Sequence, residues 1–257
     1  MAGIMGVTLT LMLWASSLID TWEAKSWDWR VALMAKPGKA TSNISLILLD
    51  QKSLDWGKEE NALTWPWPRE VYGAILNFCK RSGAKAVAFD VLFTDPSPYG
   101  VEDDAAFAQA VSGFGRVALA TFLSNQSGNN PHWPATVPLP GFQVIGLDQW
   151  QKNTAGKIRT FTKSSMPVEE LASQAAVLCN VSLDPDPDAI FRKVDLVSIF
   201  DNKALPSLGL GVFLAANPGA TLEFRARNLK VGEREIPIDA NGDAILRYRG
   251  PSGTHRI

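Results

Sequence analysis

Two apolar runs, residues 44–50 (ISLILLD) and 86–93 (AVAFDVLF), each carry a single charge, an aspartate, and one stretch of helical periodicity separates them. Runs of seven or eight residues bounded by Gly, Ser, Asn and Pro are too short for core helices and read as buried strands. Between them a polar, Trp-rich loop, NALTWPWPRE, leads into a helix. Pro68 suits the first helical turn, and Glu70 suits the positive end of the helix. Val71, Ile75, Phe78 and Cys79 fall on one face at i, i+4, i+7 and i+8 spacing, and Gly83 is the expected stop. Residues 103–111 predict a second helix with Phe107 and Val111 inward, and 117–123 a third strand. Strand, helix, strand, helix, strand with short connections predicts a parallel sheet with right-handed crossovers. The expected fold class is α/β, with a central, mostly parallel sheet flanked by helices, C-terminal antiparallel strands and a long N-terminal helix.

The rest of the chain fits around that frame. Residues 124–141 form a Pro/Asn/Gly/Ser loop longer than an ordinary connection. Residues 167–179 read as helical, 184–188 (DPDPD) as a turn, 191–200 as a strand and 208–216 as a small-residue helix. Residues 229–239 and 244–249 read as strands around an Asn241-Gly242 turn. At the N-terminus, residues 3–19 are uncharged, slightly short of the roughly 18–20 residues that span a bilayer. Trp14 and Trp22 suit an interface, and no basic residue precedes the run as in a signal peptide. Trp22, Ser26, Trp29 and Leu33 continue it at helical spacing, until Pro37 and Gly38 end it. The expected organisation is a membrane-proximal or membrane-spanning helix over 1–36 and one soluble domain over 40–257.

Composition narrows the function. With 46% hydrophobic and 20% charged residues the chain is globular, and a net charge of −1 supplies no field to draw it to nucleic acid. Cys79 and Cys179 lie in apolar runs and read as buried free thiols, with a disulfide open if the compartment oxidises. Two cysteines outside any CxxC spacing and two histidines, His132 and His255, make a zinc site unexpected. No cofactor is expected. GxSxG, Walker and HExxH motifs are missing, and Gly209 and Gly211 lack the third glycine of a dinucleotide fingerprint.

In an open parallel sheet, ligands bind beyond the C-terminal strand ends. That edge predicts a ligand pocket of Asp50 and Ser53 after the first strand, Trp65, Trp67 and Arg69 in the following loop, and Asp90 and Asp95 after the second, with Thr94 and Ser97 beside them. Carboxylates and a guanidinium would orient polar groups while indoles stack on apolar ones. The same residues have plainer uses: an aspartate at a strand end caps the next turn, Arg69 neutralises a buried Asp50 or Asp90, and tryptophans anchor packing. Carboxylates there could also take a divalent cation, although no regular DxDxDG loop is present.

Several segments together resemble the second class of CHASE-type domains, sensory extracellular modules associated with cyclases and histidine kinases. They are SWDWRVAL, ISLILLDQKSL, WPWPRE, GAKAVAFDVLF, DDAAFAQAV, SLDPDPDAIFRKVDL, LPSLGLGVF and ILRYRGPSGT, in that order along most of the chain. WPWPR followed by AFDVLF is the specific part. One position departs: the family usually has Asp-x-Asp-Gly-x-x-Arg, whereas Asp186, Asp188 and Arg192 here surround Ala189. The resemblance implies a bacterial receptor's signal-input domain, at the cell membrane and facing the periplasm or the extracellular space. Its N-terminal helix would sit in or on the membrane. It would take a small molecule or ion and relay a change to a cytoplasmic nucleotide cyclase or kinase lying outside this chain, so no catalytic residue is expected. A homodimer is expected as well. The alternatives are a structural or dimerisation module without its own ligand, and a hydrolase built on Asp50 and Asp90.

Overall fold

The computed structural model describes residues 18–154 and 157–256, together with Val7 and Met12. The chain divides into two compact units, one running to Asp55 and including Arg247–Ile257, the other spanning Trp56–Leu246.

In the first unit, helix α1 (Leu18–Met34) stops ahead of Pro37 and Gly38, as expected. Trp22, Trp29 and Leu33 fall on one face and are exposed. Most of the uncharged run over 3–19 lies outside the described residues. No helix among the described residues is long and apolar enough to cross a membrane. The expected strand over 44–50 does not form. Its backbone makes one parallel bridge, Ser45 to Arg256, and its apolar side chains are exposed. An apolar run becomes a strand only where a partner ladder completes its hydrogen bonds, and this one meets a single residue. It leads into helix α2 (Gln51–Asn61).

The larger unit holds the predicted α/β frame. Helix α3 (Arg69–Arg81) is followed by strand β1 (Val87–Phe89), helix α4 (Val101–Phe114) and strand β2 (Val117–Ser124). Strands β1 and β2 are parallel, in register Val87 to Val117, with α4 as the crossover. Helix α4 buries Phe107 and Val111, as the spacing predicts. Helix α3 buries Tyr72, Leu76 and Cys79, while Phe78 is exposed, so its inward face is turned by about one residue from the predicted one.

After the 124–141 loop come β3 (Gln143–Ile145), α5 (Leu147–Thr154), β4 (Thr160–Phe161), β5 (Lys163–Ser165), the short helix α6 (Glu169–Ala172) and β6 (Val177–Asn180). The expected helix over 167–179 is thus a single turn followed by a strand. All four residues of β6 are buried and pair in parallel with β2, from Ala118–Val177 to Thr121–Asn180, and β5 runs antiparallel to the end of β2. The run VLCN sits where both faces are covered, and that environment favours a ladder over a helical stripe.

Strands β7 (Lys193–Asp195) and β8 (Val197–Phe200) occupy the predicted 191–200 segment. Strand β9 (Lys203–Pro206) pairs with β8 across Asp201 and Asn202, both at positive φ, the pattern of a two-residue hairpin turn. Helix α7 (Leu208–Ala216) packs across β2 and β6. Strands β10 (Thr221–Arg225), β11 (Asn228–Val231) and β12 (Arg234–Pro237) form an antiparallel meander, to which β3 adds in parallel. The turn after Asn241-Gly242 opens β13 (Asp243–Ile245), which pairs with β7 rather than with β12. Cys79 and Cys179 are free and buried, as expected.

Candidate functional site

The loop after β1 and the N-termini of α3 and α4 meet, and Arg69 lies at their junction. Its side chain is 9% exposed and its Nε donates to Oδ1 of Asp104 at 3.0 Å, where the carboxylate is 5% exposed. Nη2 donates to the Asp95 carbonyl at 2.8 Å. The guanidinium lies 4.6 Å from the centroid of Phe93, above an edge-to-face cluster of Tyr72, Phe89, Phe93 and Phe107. Burial in that cluster pushes the Tyr72 hydroxyl above its ordinary range.

Asp103 completes the junction. Pro68, the residue before α3, has no side-chain acceptor for the helix's free N–H groups. Asp103 supplies one from α4: Oδ2 accepts the Arg69 amide at 2.7 Å and Oδ1 the Glu70 amide at 3.0 Å. Asp104 Oδ2 accepts the Ser97 amide at 2.7 Å, and Ser97 Oγ donates to Asp103. Asp103 and Asp104 escape the sequence reading, which stops at the helix they begin. The acidic first turn, Glu-Asp-Asp, was the available signal.

The other expected pocket residues divide by environment. Trp67 is buried against Gly57, where a Cβ would come within 2.7 Å of the indole, so only glycine admits that approach. Trp65 is exposed, as are Asp90 and Asp95. Asp50 and Ser53 belong to the other unit. There Asp50 caps α2: its Oδ1 accepts both the Ser53 amide and the Ser53 hydroxyl at 2.9 Å, and these bonds, backbone first, hold its carboxyl below the usual range. Arg69 therefore satisfies its charge with Asp104, while Asp50 is a helix cap.

A second polar concentration, overlooked in the sequence, lies around β7 and β13. Here a cleft of about 230 Å³ is lined by Arg159, Leu183, Asp184, Pro185, Asp186, Pro187, Lys193, Asp195 and Asp243. Of the turn expected over 184–188, the chain turns at 187–188, closed by the Ala189 amide on the Asp186 carbonyl at 2.8 Å. Arg192 clamps that turn, donating from Nη1 to Asp186 at 2.8 Å and from Nη2 to Asp188 at 2.7 Å. Ala189 takes φ +62°, a left-handed conformation that glycine adopts without strain.

Deeper in the cleft, Asp195 accepts from Ser198 Oγ and, at 3.4 Å, from Asn180 Nδ2. Lys193 reaches Asp239 at 2.8 Å, a bond that raises the ammonium's pKa. Asp243 is 7% exposed in its side chain. Its Oδ2 lies 3.9 Å from Arg159 Nη2, and its buried Oδ1 has no hydrogen-bond partner among the described residues. Burial raises the Asp243 carboxyl, Arg159 opposes that, and Asp239 and Asp195 add to it.

A family model described as CHASE2 domain matches residues 4–257. No curated protein and no solved structure matches the chain.

Proposed function

Because the chain belongs to the CHASE2 domain family, an extracellular sensory domain type that is not catalytic by itself, we propose that it is the signal-input module of a bacterial membrane receptor. It takes up a small molecule or ion outside the cytoplasmic membrane, in the periplasm or the extracellular space. The bound state then biases a cytoplasmic cyclase or histidine kinase through membrane helices. The family match over residues 4–257 carries this reading. A ligand can drive such a relay only by favouring one of two conformations of the module. Among the residues proposed for contact, Trp65, Asp90 and Asp95 are exposed and open to a ligand, and Arg69 supports the loop that carries Asp95. A thermal-shift screen of metabolites and ions on the full chain tests the reading, since a ligand selective for the folded state raises the melting temperature. A panel in which no compound raises it would sink the proposal.

A second reading, a dimerisation module, is favoured by α1, whose exposed Trp22, Trp29 and Leu33 present an apolar stripe suited to a second copy. Sedimentation of the chain with and without residues 1–36 tests it. A mass that does not halve on truncation excludes this role.

A further inference from the structure

The cleft at β7 and β13 is charged in one direction. Four carboxylates, Asp184, Asp186, Asp195 and Asp243, line it against two cations, Arg159 and Lys193. Each cation already has an acid at 2.8 Å, Arg159 with Asp184 and Lys193 with Asp239. Among the described residues, Asp243 has its nearest guanidinium at 3.9 Å and a buried oxygen that accepts no hydrogen bond. A buried carboxylate oxygen without a donor costs free energy, so this wall favours a cation that brings N–H donors.

We propose that the cleft binds a small molecule bearing a primary ammonium group, with Asp243 as its principal acceptor, Asp195 beside it and the Arg159–Asp184 pair at the rim. Three features set the class. The remaining lining is Leu183, Pro185 and Pro187, with no aromatic face, so a quaternary ammonium finds none of the ring surfaces that recognise it. No group of three or more His, Cys, Asp or Glu among the described residues is arranged to hold a metal ion. The volume, about 230 Å³, lies below that of sites for drug-sized ligands, roughly 300–1,000 Å³, so the amine is small. Asp186, held by Arg192, also lines the cleft, so occupancy would be felt at the Arg192 clamp.

The inference rests on the sensory reading, and the two fail differently. Silence toward every metabolite and ion refutes the sensor, while silence toward the amine alone refutes this assignment. The probes are ethylamine, tetramethylammonium and magnesium chlorides at equal ionic strength, read by amide chemical shifts and melting temperature of the full chain. Ethylamine should shift the Asp195 and Asp243 amides saturably, and tetramethylammonium should not. Asp243→Asn should weaken ethylamine by about tenfold or more, the loss of one charge-assisted hydrogen bond. Asp184→Asn, at the exposed rim, is the second variant should Asp243→Asn fail to fold. It frees Arg159 for Asp243 and should weaken ethylamine in the same direction. No saturable shift with ethylamine, equal saturation by magnesium or tetramethylammonium, or unchanged affinity in whichever variant folds overturns the proposal.

Discussion

Arg69 of α3 and Asp104 of α4 form an ion pair at 3.0 Å with both side chains nearly excluded from water. Two helices separated by a strand in sequence are joined by it, because Arg69 also holds the Asp95 carbonyl and Asp104 the Ser97 amide. The loop after β1 is shaped from both sides by one pair.

Arg69→Met should cost about 3–5 kcal/mol in urea denaturation, since it leaves Asp104 charged and buried without its partner. Adding Asp104→Leu should recover a large part of that loss, as an apolar pair of similar size leaves no buried charge. A double variant no more stable than the single one would show that the Ser97 amide, not the ion pair, dominates.

Ala189→Gly should stabilise the chain. A left-handed residue other than glycine costs about 1–2 kcal/mol, and the extra backbone freedom of glycine in the unfolded chain takes back about 0.5–1 kcal/mol. The net gain of about 0.5–1 kcal/mol is measurable by chemical denaturation, and a loss of stability would mean that the turn does not hold φ +62°.

Asp243 sets a pH dependence with a definite sign. Its carboxyl is raised by burial, so the folded state favours the protonated form. That stabilisation is complete below the unfolded value, about 3.9, and is lost as pH rises through the raised value. The stability of the native protein relative to Asp243→Asn should therefore fall with rising pH. Urea midpoints of both proteins measured across that range check it, and parallel curves would refute the burial of this group.

Asp50 behaves in the opposite sense. The Ser53 bonds lower its pKa, so its contribution is present above the unfolded value and lost as pH falls through the lowered one. Ser53→Ala should move the Asp50 midpoint back toward the ordinary carboxylate range in a carboxyl-carbon NMR titration, because one of the two bonds disappears. An unmoved midpoint would assign the whole effect to the Ser53 amide.

Both thiols should be silent in the native state. Burial raises the pKa of Cys79 and raises that of Cys179 far more, and the thiolate is the reacting species. Disulfide reagents at mildly alkaline pH should modify both only after denaturant is added, Cys179 being the last to respond under partial unfolding.

The parts of this fold legible in the sequence are those where one local pattern suffices. The buried face of α4, the stop of α3 before Gly83 and the apolar strand β2 follow from spacing and composition alone. Residues 44–50 (ISLILLD) are about as apolar as β2 (VALATFLS) yet form no strand, because pairing depends on a neighbour that the run does not encode. VLCN in β6 reads equally as helix or strand until two covered faces decide. The site divides in the same way. WPWPR marks the loop, but the partners of Arg69 stand 34 and 35 residues on, at the start of another helix. The β7 and β13 cleft gathers residues from 159 to 243, a separation over which no motif reports.

Asp103 caps a helix to which it does not belong. The first turn of α3 therefore cannot fray by itself in the usual way of helix ends, since releasing the Arg69 and Glu70 amides means moving the start of α4. The two helices share one opening event, and hydrogen exchange at those amides should report the free energy of separating α3 from α4 rather than of unwinding a single turn.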